Sequence, residues 1–186
     1  MVDEFKYVDG KIKGGFFEEA DKFRFFRRYR DDCTSLNIDN FLTIASEIYP
    51  PSLSLTQEND SPIKVNVLDM VAEIKEERIL TKVFCKTDHF PFSVISYPFL
   101  ESNLDTRICY NVFFGQIIRI QRLTSLKEDF EVRVKFLADI LIKRGYNINF
   151  LQKKFCQAVN KYASDFQKWS IPQDIKSWFY QVIRPN

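Results

Sequence analysis

Phe23-Arg24-Phe25-Phe26-Arg27-Arg28-Tyr29-Arg30-Asp31-Asp32-Cys33-Thr34 is the stretch on which the reading of this chain turns. Phe23, Phe25, Arg27 and Tyr29 share one parity, and Arg24, Phe26, Arg28 and Arg30 share the other, which predicts a strand. Asp31-Asp32 supplies turn chemistry and Cys33 to Leu36 reads as a return strand, so the two acids are expected at the tip of a hairpin. Adjacent carboxylates repel unless something positive lies between them. Hard oxygen ligands of this kind suit Mg²⁺. The plainer reading is a solvated polar turn, and an Asp-Asp pair alone does not separate the two.

The bulk of the chain frames that stretch. A length of 186 residues allows one domain or two small lobes. Hydrophobic residues make up 45%, enough for a core, and 19 Phe with 8 Tyr point to strands and aromatic packing rather than a pure helical bundle. Charged residues at 28% argue against long disorder. A net charge of +2 does not by itself imply a polyanion partner, so local clusters must carry that argument. Cys33, Cys85, Cys109 and Cys156 form no Cys-x-x-Cys pair, and no apolar leader opens the chain. These features predict reduced, mostly buried thiols in an intracellular protein, nuclear or cytoplasmic. His89 is the only histidine, which leaves no His/Cys cluster for zinc. No run reaches membrane-spanning length, so no membrane partner is expected.

Upstream of Phe23, residues 1–15 show little pattern and end at a Gly14-Gly15 turn, and Phe16 to Lys22 reads as a helical turn. Downstream, Asn37 or Asp39 is positioned to cap a helix carrying Phe41, Leu42, Ala45 and Ile48, ended by Pro50-Pro51. Leu53 and Leu55 suggest a short strand. Val65 to Ile74 reads as one strand, Lys75-Glu76-Glu77-Arg78 as a charged turn, and Ile79 to Lys86 as its return. Phe90 to Ile95 is expected to be extended, on an edge because of Pro91 and Pro98.

After Pro98 the period becomes helical. Ile108, Val112, Ile117, Ile120 and Leu123 form one stripe, and Phe130, Val134, Leu137 and Leu141 form a second, stopped by Gly145. Phe150, Leu151, Phe155, Ala158 and Tyr162 form a third, opened by Asn147 or Asn149. A last helix takes Ser170 as cap, with Pro172 in its first turn and Ile175, Trp178, Phe179 and Val182 inside. The expected fold class is α+β: a β-hairpin-rich lobe followed by a helical one, with residues 1–98 and 99–186 as the two domains.

Taken in order, the motifs have a family look. Arg28-Tyr29-Arg30-Asp31-Asp32 resembles the Arg-Tyr-x-Asp-Asp box of reverse transcriptases. Leu68-Asp69, Lys86-Thr87-Asp88, Ser96-Tyr97-Pro98, Gly115-Gln116 with Arg119 and Arg122, and Arg144-Gly145-Tyr146 resemble signatures of the Penelope-like retroelement group. The likeness runs from about Arg28 to Tyr146. It implies a partial polymerase palm followed by a thumb, from an RNA-directed DNA polymerase using two-metal nucleotidyl transfer. Asp31 and Asp32 would be the catalytic Mg²⁺ ligands and Tyr29 would lie near the primer terminus or incoming nucleotide. Arg28, Arg30, Lys86, Arg119, Arg122 and Arg144 would meet an RNA template and DNA primer duplex, and Val65 to Lys86 would support the primer end.

The chain departs from that pattern at Val67, where the group has Phe, and at Tyr97, where it has His. The family also carries a further catalytic Asp and the fingers upstream of the box. Here 28 residues precede Tyr29, and Asp3, Asp9 and Asp21 do not stand in that context. A fragment inactive alone, with Mg²⁺ held weakly or not at all, is the resulting expectation.

A different class of function is open as well: a non-catalytic module derived from a retroelement, helix-turn-helix-like over Arg133 to Tyr162, that binds nucleic acid or a protein partner. The helical lobe carries Arg107, Arg119, Arg122, Arg133, Lys135, Lys143, Arg144, Lys153, Lys154 and Lys161 against Glu128, Asp129, Glu131 and Asp139. Arg119 and Arg122 share a helix face with no acid between them, which points to phosphate contact. Lys143 and Arg144 sit where a helix C-terminus alone would favour them. Asp69 and Asp88 are expected to make structural hydrogen bonds, His89 to be a turn residue, and Trp169 and Trp178 to pack.

Overall fold

The computed structural model describes residues 2–35, 38, 40–59, 61–92 and 94–184. The fold class is α+β, with helices and two small antiparallel sheets. Compactness divides the chain into Met1–Glu58 and Asn59–Asn186. Residues 59–98, read from the sequence with the hairpin lobe, therefore fold in the same compact unit as the later helices.

The first unit opens with α1 (Val2–Lys13), where the sequence showed little pattern. Lys13 pairs with Asp9 at 2.7 Å, one helical turn away. The helix is fixed less by propensity than by what it buries: Glu4 is buried, and Tyr7 packs its ring 5.5 Å from Phe23. Its end is the expected glycine turn. Gly15 adopts φ +81°, Phe16 N donates to Lys11 O and Gly15 N to Ile12 O, the paired bonds that close a helix in the left-handed conformation. Next come α2 (Phe17–Lys22) and a single 3₁₀ turn, Phe23–Phe25, where the sequence predicts strand. The 3₁₀ turn places Phe23 in the core, with Phe26 and Phe41 at 5.7 and 6.4 Å.

The strand proper is β1 (Arg27–Tyr29), paired antiparallel with β2 (Asp32–Thr34), Tyr29 opposite Asp32. Helix α3 (Phe41–Ile48) follows, with its buried Ala45. Asn37 and Asp39, expected as its cap, lie outside the described residues. Asn40 holds the cap position without a side-chain bond. Leu53 and Leu55 are irregular rather than a strand.

In the second unit β3 (Lys64–Val67), β4 (Met70–Lys75) and β5 (Arg78–Val83) form an antiparallel meander. The single strand expected over Val65 to Ile74 is broken at Leu68-Asp69, where Leu68 takes φ +51° and Val67 pairs with Met70. A two-residue turn leaves the alternation of Met70, Ala72 and Ile74 intact, which hides it from periodicity. The charged turn at Glu76-Glu77 is as expected, with both residues at positive φ in the manner of a type I′ hairpin. A 3₁₀ turn, Lys86–His89, replaces the end of the expected return strand, and the described residues between Phe90 and Ile95 make no strand.

The helices are α4 (Thr106–Leu123), α5 (Lys127–Lys143), α6 (Ile148–Lys161), α7 (Ala163–Phe166) and α8 (Ile175–Ile183). Their shared core holds Phe113, Ile117, Phe130, Val134, Leu141, Leu151, Phe155, Phe166 and Phe179, all fully buried. On α4 the buried stripe is Cys109, Phe113, Ile117 and Ile120, so Ile108 is exposed and the first half of the expected stripe is displaced by one residue. Phe150 on α6 is likewise exposed, and Val159 is buried in the stripe that Leu151, Phe155 and Ala158 begin. On α8 the cap is Asp174, whose Oδ1 accepts from Lys176 N and Ser177 N, rather than Ser170. Trp169 and Trp178 are buried as expected. Ser125, between α4 and α5, ties the meander to the helices: its Oγ accepts from Thr81 N at 2.9 Å and its N donates to Thr81 O.

Candidate nucleic-acid interface

Helices α5 and α6 are joined by Arg144-Gly145-Tyr146-Asn147, and every residue of that turn is committed. Gly145 takes φ +88°, Tyr146 N donates to Leu141 O and Gly145 N to Ile142 O, which closes α5. Asn147 Oδ1 then accepts from Asn149 N at 2.9 Å and starts α6. Asn147 N donates to the Tyr110 hydroxyl, and the Tyr146 hydroxyl donates to Pro98 O at 3.1 Å. Burial, helped by a bond to Cys109, pushes the Tyr146 hydroxyl up to about 12, so it stays protonated at neutral pH. Arg144 donates to Tyr97 O and lies over the Phe99 ring at 5.3 Å, and its carbonyl accepts from Leu100 N. The approach of the two helices is thus set by the segment before α4 and by α4 itself.

The second helix of this pair has a particular surface. Asn149, Phe150, Lys153, Gln157, Asn160 and Lys161 are exposed along α6, opposite Leu151, Phe155, Ala158 and Val159. From residue 140 to residue 164 the chain has no Asp or Glu, while Lys143, Arg144, Lys153, Lys154 and Lys161 fall inside it. That acid-free run is a signal the sequence carries and periodicity does not reveal. Asn149 Oδ1 accepts from the Tyr180 hydroxyl, which orients its amide.

A four-residue turn containing glycine between two helices is one feature of a helix-turn-helix. Residues 100–155 match a family described as the animal helix-turn-helix domain. The match takes in α4, α5 and the first half of α6. No curated protein and no solved structure matches the chain.

Around this α5–turn–α6 corner the basic residues picked out by sequence are placed unevenly. Arg119 pairs with Asp69 at 2.7 Å and also reaches Gln116, and Arg122 approaches Asp165 at 3.4 Å beside the Tyr162 ring. Arg144 is held by backbone carbonyls, as above. Lys86 is exposed in its 3₁₀ turn. Asp69 and Asp88 make the structural contacts expected of them, the second with Arg133 at 2.5 Å. Lys168, not singled out by sequence, donates to Gln121 O and Thr124 O at the end of α4, and burial lowers its pKa.

In the first unit a hairpin forms as expected, but its turn is Arg30-Asp31, with Arg30 at φ +56°, and Asp32, expected in the turn, opens the return strand opposite Tyr29; Tyr29, Arg30, Asp31 and Asp32 are all exposed. Arg28 points elsewhere: it donates to Glu4 Oε1 and to Arg30 O, both at 2.7 Å. Two neighbouring exposed carboxylates supply only part of the octahedral oxygen shell that Mg²⁺ demands. Among the described residues no group of three or more His, Cys, Asp or Glu gathers to hold a metal. Asp31 and Asp32 stand as two neighbouring exposed carboxylates on this hairpin. Among the described residues no helix is long and apolar enough to cross a membrane.

Proposed function

We propose that the second unit binds nucleic acid through its helix-turn-helix, with α6 as the helix presented to the groove. The observation that carries this is the pairing of a rigid α5–turn–α6 corner with a second helix that bears three lysines and no carboxylate. Asn149, Lys153 and Gln157 on its exposed side are residue types that bond base edges, while Lys143 at the end of α5 suits a phosphate. The test is fluorescence anisotropy of the whole chain with labelled DNA duplex and RNA–DNA duplex at low salt. Binding that weakens in Lys143→Gln and Lys153→Gln is the expected result. Absence of binding to every duplex at low salt overturns the proposal.

A second reading keeps a polymerase ancestry, favoured by one observation: Tyr29-Arg30-Asp31-Asp32 does lie on a tight hairpin with both acids exposed at its end. In that reading the chain derives from a Penelope-like reverse transcriptase, its later helices are a thumb that grips an RNA template–DNA primer duplex, and Mg²⁺ belongs to the complete enzyme. Primer extension with Mg²⁺ and Mn²⁺ checks it, with and without an upstream palm supplied in trans. Extension that survives Asp31→Ala and Asp32→Ala removes those residues from the chemistry.

A further inference from the structure

Between α4 and α6 runs an open cleft of about 620 Å³. Asn111 and Phe114 line it from α4, and Lys154, Cys156, Gln157, Asn160 and Lys161 from α6. Among the described residues no carboxylate lines it. Its chemistry is one aromatic ring, three primary amides, two ammonium groups and the Cys156 thiol. Lys154 Nζ donates to Asn111 Oδ1 at 2.7 Å, which fixes that ammonium at one wall. Lys161 Nζ sits 5.9 Å from the Phe114 ring centroid and 5.6 Å from that of Tyr162. Phe114 is half-buried and leans against Tyr162, with ring centroids 6.3 Å apart.

We propose that this cleft holds one unpaired nucleotide of a single strand, its base stacked on Phe114 and its flanking phosphates at Lys154 and Lys161. The inference rests on the nucleic-acid-binding reading and narrows it. A ring face recognises a base only when that base is free of its neighbour in the stack, because a closed duplex presents base edges in its grooves and hides base faces. An aromatic platform flanked by cations is the arrangement that tracks single strands. The two lysines are seven residues apart on one helix, a rise of about 10 Å, so one strand can meet both without bending around the helix. Asn111, Gln157 and Asn160 offer amide donors and acceptors to the base edge, which unpairing leaves open. The volume lies within the range of about 300–1,000 Å³ for small-ligand sites.

The experiment is anisotropy of the whole chain with labelled oligodeoxythymidine and, separately, with a labelled duplex. Phe114→Leu is expected to weaken single-strand binding about tenfold and to leave duplex binding unchanged. Because Phe114 also touches the core, the tryptophan fluorescence of that variant is compared with the parent. Lys154→Gln with Lys161→Gln, both on the surface, is the second variant. It is expected to lower the slope of log affinity against log salt for the single strand by about 1.4, two phosphates' worth. An unchanged single-strand affinity and slope in the lysine double variant overturns the cleft. If duplex binding persists there, the helix-turn-helix reading stands alone; if neither form binds the parent chain, both fall. Displacement of the strand by adenosine monophosphate at micromolar concentration also overturns the proposal, since it assigns the cleft to free nucleotides.

Discussion

Glu4 is the residue whose setting is least expected from its neighbours in sequence. It lies on α1, is only 4% exposed, and accepts from the Tyr49 hydroxyl and from Arg28. Burial pushes its carboxyl up, but its hydrogen-bond donors, Tyr49 and Arg28 among them, more than offset that and hold it at about 2 against an ordinary 4.5. A depressed carboxyl stabilises the folded state fully above its unfolded pKa and loses that contribution as pH falls through the folded one. Stability of the first unit is therefore expected to be flat above about pH 4.5 and to drop from there towards pH 2. Glu4→Gln removes the ionisation: it should lower stability at pH 7 and flatten that acid limb. Hydrogen exchange of the α1 and α3 amides across the pH range checks it. An acid limb of the same depth in the variant would assign the loss to other carboxylates. The same partners explain why Arg28, an obvious phosphate ligand in the sequence, is spent on Glu4.

At the scale of elements, the α5–turn–α6 corner gives a direct test of backbone control. Gly145 sits at φ +88°, and a Cβ there would meet only Leu100 Cβ at an ordinary 3.7 Å. Gly145→Ala therefore has space and pays only for the left-handed backbone, about 1–2 kcal/mol. Urea unfolding followed by Trp169 and Trp178 fluorescence measures it, and a stability equal to the parent would show that the turn relaxes to negative φ. This corner was legible from sequence because its signals are local: Phe130, Val134, Leu137 and Leu141 at helical spacing, then Gly145, then Asn147. Other elements were not, for physical reasons that can be named. Helix α1 contains Gly10 and is dominated by charged residues, and depends on burying Glu4 and packing Tyr7. The Leu68-Asp69 turn has neither Gly nor Asn where φ is positive, so nothing in its residue types announces it. Arg144 looked like a nucleic-acid contact, and its tie to Tyr97 spans too much sequence for any local pattern to predict. The exposed surface of α6 was half legible: its lysines were visible, but which of them share an arc with Asn149 and Gln157 follows only from where the core lies.

Over the whole molecule the net charge of +2 conceals a strong asymmetry. The run from residue 140 to 164 contributes five positive groups and no negative one, so the other segments together are net acidic. Association with a polyanion should then be governed by that run and not by a diffuse positive field. Arg144 is occupied by carbonyls, which leaves Lys143, Lys153, Lys154 and Lys161 to meet phosphates. Each phosphate neutralised on a duplex contributes about −0.9 to the slope of log affinity against log salt, so engagement of two to four of these lysines gives a slope of about −2 to −4. A diffuse charge effect would instead respond to neutralising any lysine, for instance Lys64 or Lys82 on the meander. The expected outcome is a slope that falls by about one for each of Lys143→Gln and Lys153→Gln and stays the same for Lys64→Gln. Equal effects at all three positions would place binding outside the helix-turn-helix.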